Sequence, residues 1–202
     1  MVALGFLYRD GSGPSGRYRN TEATDQFLDK NQPEYIGSFF VLSNDSFKFW
    51  SDLESALKTG KAQNETKHGQ KSLFESLNAD TDRLEQFING MSGLSRGNFQ
   101  AFAAKFDFAK YKTLCDVGGA SGLLSELVAK QHPHIHCLTF DMPQVEPIAK
   151  RAIERAGLTD RVRVVSGDFF TDVLPTADVI VMGMILHDWN LEKKETINSH
   201  SL

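Results

Sequence analysis

The second half of the chain predicts an α/β fold built on a doubly wound parallel sheet. Three observations carry that prediction. Short apolar runs alternate with amphipathic ones from Tyr111 onward. They recur at the spacing of strand–loop–helix units rather than of hairpins. The first apolar run leads directly into Asp116-Val117-Gly118-Gly119-Ala120-Ser121-Gly122. A glycine-rich turn between strand and helix lets the backbone bend sharply, and it lets a nucleotide-like ligand approach main-chain N–H groups.

The composition bounds the alternatives. The chain has 202 residues, 41% hydrophobic and 24% charged, enough for one sizeable core plus an appendage. A net charge of −4 argues against a nucleic-acid or anionic-membrane partner. No apolar run approaches the roughly 20 residues that span a bilayer. The start, MVALGFLYRDG, lacks the basic, apolar and small-residue regions of a secretion signal. The two cysteines, Cys115 and Cys137, each fall inside an expected strand. They are expected to be buried free thiols of a cytoplasmic protein.

The elements follow in order. Val2 to Leu7 resembles the end of a helix. Leu7-Tyr8-Arg9 and Arg17-Tyr18-Arg19 flank a Gly/Ser/Pro tip, which predicts a hairpin. Helix end followed by hairpin resembles the tail of a winged-helix domain. Pro33 to Lys110 is expected to be mostly helical. Phe47, Trp50, Leu53, Ala56 and Leu57 keep helical spacing up to Gly60, a suitable C-cap. Lys58 to Gln70 is polar and expected to be a loop. Leu84, Phe87, Ile88 and Met91 predict another helix that Gly90, Gly93 and Gly97 should weaken, with a last short helix over Asn98–Phe106.

The sheet then begins. Its strands are expected at Thr113–Val117, Ile135–Phe140, Arg161–Ser166 and Asp178–Met182. The first helix between them puts Leu124, Leu127 and Val128 on one face. The second puts Ile148, Ala149, Ala152, Ile153 and Ala156 opposite Lys150, Arg151, Glu154 and Arg155, and Gly157 ends it. A polar helix is expected from Leu191 to Ile197.

Chemistry-bearing residues cluster at strand ends. Asp141 closes the second strand about 20 residues past the glycine turn, where a carboxylate can accept from both ribose hydroxyls of an adenosine. Asp168 follows the third strand in Gly167-Asp168-Phe169-Phe170; it can reach an adenine amine, and Phe169 can flank the ring. Asp141 as a helix cap and Asp168 as a turn residue are the plain alternatives. Three coordinated positions at three successive strand ends favour a ligand, since ligands of open α/β sheets bind there. GGxxG spacing in place of GxGxxG argues against a dinucleotide. His187 follows the fourth strand. His132, His134 and His136 alternate around Pro133, and no metal site is expected of them. Phe87, Met91, Phe99 and Phe102 are candidates for an aromatic pocket or for plain core packing.

The series DVGGASG, FDMPQ, GDFF and ILHDW resembles the class I S-adenosylmethionine-dependent O-methyltransferases. Within them it is most similar to the branch of plant phenolic and acetylserotonin O-methyltransferases and bacterial enzymes of aromatic metabolism. ALGFL, YRNT and YIG resemble the end of that family's winged-helix dimerisation domain, and FWSDLESALKTGKAQNE its linking helices. The resemblance implies a Rossmann-like sheet preceded by helices and a winged-helix tail. It divides the chain into residues 1–30, 31–110 and 111–202: dimerisation remnant, helical linker with substrate lining, and part of a cofactor-binding domain.

It implies S-adenosyl-L-methionine as cofactor, with Gly118, Gly119 and Gly122 beside its methionine part, Asp141 on the ribose, and Asp168 with Phe169 at the adenine. Plant members often carry a lysine four residues before the histidine; Gly183 stands there, so that contact is not expected. His187 would be the general base for a small, hydroxylated, aromatic acceptor. Full proton transfer from a phenol to imidazole before attack costs about 5 kcal/mol, and removal as the methyl moves avoids part of that. The complete protein is expected to be a homodimer. Relative to the family fold the pattern lacks material at both ends, so an inactive cofactor-binding or dimer-forming remnant is the alternative.

Overall fold

The computed structural model describes residues 1–61, 63 and 73–199. The expected polar loop therefore lies mostly outside the described residues. The chain divides into two compact units. One comprises Met1–Ala79 with Asn89–Leu94, the other Asp80–Ile88 with Ser95–Leu202.

The first unit opens with a Schellman-type turn. Gly5, at φ 75°, donates to Val2 O, and Phe6 donates to Met1 O. That pair of bonds closes helix ends, so the expectation of a helix end at Val2–Leu7 matches the local geometry. β1 (Leu7–Asp10) and β2 (Arg17–Asn20) then form the hairpin, Leu7 opposite Asn20 and Asp10 opposite Arg17. The Arg19 guanidinium lies 4.2 Å above the Tyr8 ring and bridges to Asp10. Thr21 caps α1 (Glu22–Leu28) by accepting from Thr24 N–H, and the Thr24 hydroxyl donates to Phe6 O.

The run predicted as one helix forms two. α2 (Gly37–Trp50) stops at Ser51, and α3 (Leu53–Thr59) ends on Gly60 at φ 64°, the expected C-cap. α4 spans Leu73–Asn78.

α5 (Thr81–Lys105) departs furthest from expectation: it runs unbroken for 25 residues through Gly90, Gly93 and Gly97. Asp80 caps it by accepting from Arg83 N–H. The glycines do not interrupt it because two of them are packing contacts. A Cβ on Gly93 would sit 2.9 Å from Tyr35 O, and one on Gly90 3.4 Å from Ser38 O. Tertiary approach outweighs the local helix penalty of glycine, about 1 kcal/mol each.

The second unit holds the parallel sheet, ordered β5–β4–β3–β6. Its strands are β3 (Thr113–Val117), β4 (His136–Asp141), β5 (Val162–Ser166) and β6 (Val179–Val181). α6 (Leu123–Gln131) and α7 (Glu146–Arg155) connect them, and α8 (Leu191–Ser199) follows. Gly157 at φ 68° ends α7, with Gly157 N–H to Glu154 O and Leu158 N–H to Ile153 O. Leu114, Leu124, Val128, Ile135, Ile153 and Val162 form the core between helices and sheet, with Phe99 and Phe102 packed against it. A second cluster, Cys115, Val117, Phe140 and Leu174, fills beneath the strand ends. β3 and β6 are registered by an edge clamp: Asp178 accepts from Lys112 N–H and Thr113 N–H and donates its own N–H to Thr113 Oγ1.

Strand order reverses beside β3, since β4 and β5 lie on one side and β6 on the other. The carboxyl ends of the strands beside such a reversal are the usual ligand position in open α/β sheets.

Candidate functional site

The register places the predicted residues together. Val117 pairs with Phe140, and Asp141 with Ser166, so three successive strands end at one level. The glycine turn leaves β3 by donating Gly118 N–H to Phe140 O at 2.8 Å. Gly118 and Gly122 have φ of 71° and 76°, and Ala120 of 50°. Gly119 requires space rather than conformation, because a Cβ there would sit 2.8 Å from Asp116 Oδ2 and overlap Thr139 Oγ1. Gly122 also opens α6, whose amino end has no side-chain cap. A helix amino end of this kind attracts a carboxylate or phosphate.

Asp141 sits across the turn. Its Oδ2 accepts from Ala120 N–H at 2.8 Å and its Oδ1 from Met142 N–H at 2.7 Å. Burial pushes its carboxyl above the ordinary range, and the two backbone bonds oppose that. Asp116, at 3% exposure, is pushed up to about 7, first by burial and then by the Asp141 charge. Nothing in the local sequence assigns Asp116 a role, although it begins the glycine motif. Thr139, its cross-strand partner, has a buried hydroxyl without a hydrogen-bond partner, as does Ser125 in the first turn of α6.

Asp168 follows β5 in an Asx-turn, with Oδ1 accepting from Phe170 N–H at 2.8 Å and its own N–H donated to Asp172 Oδ2. The plain alternative for Asp168 is therefore present in the geometry. Phe169 and Phe170 pack tilted at 4.7 Å, and Trp189 meets the Phe170 ring edge-on at 4.8 Å.

His187 lies on a short 3-10 turn, Leu186–Asp188, between β6 and α8. Its side chain is 57% exposed, and its Nε2 is 3.2 Å from Asp188 Oδ1. Burial raises the Asp188 carboxyl, and the nearby imidazole counteracts it. Asp188 does not cap α8; Asn190 does, accepting from Lys193 N–H. Gly183 is covered by the Phe99 ring, 2.9 Å from where a Cβ would be. Phe99 thus serves the core and also walls the carboxyl end of β6.

The remaining candidates fall elsewhere. His132 and His134 each place Nε2 against a main-chain oxygen, Ala103 O at 2.8 Å and Phe108 O at 3.2 Å. Among the described residues no cluster of His, Cys, Asp or Glu is arranged to hold a metal. Cys115 and Cys137 are buried and free, and burial raises both thiols to about 12. No helix among the described residues is long and apolar enough to cross a membrane.

The arrangement suits a ligand with an amino-acid end and a nucleoside end. An uncapped helix start suits an anionic group, while Asp141 and Asp168 favour hydroxyls and cationic groups. A pyrophosphate would meet those carboxylates unfavourably.

Comparison with known proteins agrees with that geometry. The O-methyltransferase domain family matches residues 50–199. The 8-O-methyl transferase TcmO of tetracenomycin polyketide synthesis in Streptomyces glaucescens is 36% identical over 198 residues, 98% of this chain and 56% of that relative. The chain therefore spans little more than half the length of such relatives. The crystal structure of human N-acetylserotonin methyltransferase in complex with SAM superposes with a TM-score of 0.89 at 26% identity, covering 98% of this chain and 58% of that one. NcsB1, an O-methyltransferase from neocarzinostatin biosynthesis in complex with SAM and 2-hydroxy-5-methyl naphthoic acid, gives 0.78 at 28% identity, covering 98% and 61%.

Proposed function

The chain belongs to the O-methyltransferase domain family, and from that premise we propose that it binds S-adenosyl-L-methionine and serves methyl transfer to a hydroxyl of a small aromatic metabolite. The single observation that carries the reading is the convergence of an uncapped helix start, a close-approach glycine turn and the Asp141 carboxylate at adjacent strand ends. NcsB1, similar along nearly all of this chain, holds a hydroxylated naphthoic acid together with SAM, which supports an acceptor of that class.

The roles follow from position. Gly118, Gly119 and Gly122 give the methionine part access to the main chain. The open N–H groups of α6 receive its carboxylate. Asp141 accepts from the ribose hydroxyls, and Asp168 with Phe169 borders the adenine. Bound there, the cofactor supplies an electrophilic methyl on a sulfonium. His187 accepts the acceptor's hydroxyl proton as the oxygen attacks, and Asp188 stabilises the imidazolium so formed. The chain's main contribution is alignment of the attacking oxygen.

The same proposal covers the division into residues 1–30, 31–110 and 111–202, a homodimeric complete protein, a cytoplasmic setting and the absence of nucleic acid as a partner. A second reading, cofactor binding without turnover, is favoured by the exposure of His187, whose nitrogen partner is its own neighbour.

The test is calorimetric titration with S-adenosylhomocysteine, followed by methyl transfer to hydroxynaphthoates. Saturable binding that Asp141→Ala weakens about tenfold or more is expected, the scale of one lost charge-assisted hydrogen bond. No binding by the folded chain would sink the reading. Binding with no His187-dependent transfer would leave the second one.

A further inference from the structure

His187 has a placement problem that its hydrogen bonds do not solve. The ring is mostly exposed, and its nitrogen partner, Asp188, rides on the same short turn. Whatever fixes that turn in space sets where the imidazole can reach.

The turn is held on both sides of His187. Two residues before it, Ile185 lies on the glycine turn; a Cβ added to Gly118 would fall 2.8 Å from Ile185 Cγ1. Two residues after it, Trp189 packs on the loop that follows β5, 4.8 Å from the Phe170 ring at 90° and 6.3 Å from Phe169 at 72°. The Lys193 ammonium covers the same patch, 4.6 Å from the Trp189 ring and 5.2 Å from Phe170. The backbone between β6 and Ile185 is strained: Met184 has φ 60°, an unfavourable conformation for a side chain that long. Such a conformation persists only where the surroundings over-determine it, and the seating of Ile185 on Gly118 begins at the next residue.

We propose that Ile185 and Trp189 clamp the His187 turn at two points, onto the glycine turn after β3 and the Phe169–Phe170 loop after β5, and act as positioning residues for His187. The inference rests on the reading of His187 as the base. Its consequence is specific. The two anchors stand on the loops assigned to opposite ends of the cofactor. The imidazole is therefore indexed to the cofactor's own seat, independently of any hydrogen bond to the ring. Gly118 then has two duties: it admits the cofactor on one side, and it receives Ile185 on the other.

The test uses the full chain labelled with 15N-histidine, with the His187 signals assigned by His187→Asn. Ile185→Ala and Trp189→Leu should shift or broaden the His187 imidazole signals and leave those of the other histidines in place. The conservative variants Ile185→Leu and Trp189→Phe should restore them. In methyl transfer, Ile185→Ala should lower kcat by about ten- to a hundredfold, the cost of a misplaced catalytic group. Its affinity for S-adenosylhomocysteine should stay within about threefold of the parent's, about 0.7 kcal/mol. His187 signals unmoved by both truncations would overturn the clamp, as would equal disturbance of every histidine. A parent chain without turnover, or a fully active His187→Asn, defeats the base reading instead, and the imidazole signals still judge the clamp.

Discussion

Asp116 shows how far a single residue's chemistry depends on where the fold puts it. In the sequence it is one more aspartate beside a glycine. In the fold it is buried under Gly119, next to a hydroxyl without a partner and close enough to Asp141 to feel its charge. Its pKa is raised from 3.8 to about 7. The sign follows from linkage: a carboxyl raised by folding contributes stability that is present below the unfolded value and lost as pH rises through the folded one. Without ligand, the chain should therefore lose stability relative to Asp116→Asn as pH climbs from about 4 to about 7, and run parallel to it above that. Urea midpoints measured across that range check it; parallel curves throughout would show that Asp116 ionises as freely folded as unfolded.

At the scale of elements, α5 separates local propensity from tertiary demand. Three glycines in one helix predict a break, and the helix does not break. Two of them sit where another backbone passes, whereas a Cβ on Gly97 would meet nothing within 4 Å. Gly93 and Gly97 should respond oppositely to alanine. Gly97→Ala should stabilise by about 1 kcal/mol, the ordinary gain of helix propensity. Gly93→Ala should destabilise, because its new methyl would crowd Tyr35 O at 2.9 Å and a main-chain oxygen yields little. Denaturation midpoints by circular dichroism decide between them. The α2–α3 break at Ser51 and Asp52 was hidden for a related reason: apolar spacing continues across the break, so periodicity alone reads one helix where the backbone makes two.

For the whole molecule, the sheet order decides function. Parallel pairing of β3, β4 and β5 brings Gly118, Asp141 and Asp168, far apart in sequence, to one edge of the sheet. A ligand seated there holds β3, β4 and β5 together, so binding should stabilise the folded chain. S-adenosylhomocysteine at a hundred times its dissociation constant should add about 2.7 kcal/mol. In a chain of this size that is a rise in Tm of roughly 5 to 10 °C. Asp141→Ala should lower the unliganded Tm, since Ala120 N–H and Met142 N–H lose their acceptor, and abolish most of the ligand-dependent rise. Scanning calorimetry with and without the ligand measures both.

Much of this was legible in the sequence because it is encoded by short-range pattern. Apolar alternation set the strands, glycines after Ala156 and Thr59 set helix ends at Gly157 and Gly60, and Asp141 and Asp168 stood at strand ends because strand length fixes where strands end. The sequence by itself determined the α/β class, the glycine turn and the carboxylates at the strand ends. Only the tertiary structure decided that Asp116 is buried, that Gly93 is a contact rather than a fault, that Asp168 spends an oxygen on its own turn, and that Ile185 and Trp189 brace the His187 turn from either side. Each of those depends on what approaches from a distant part of the chain, and burial and close packing are properties of the assembled neighbours, which no local run of residues contains.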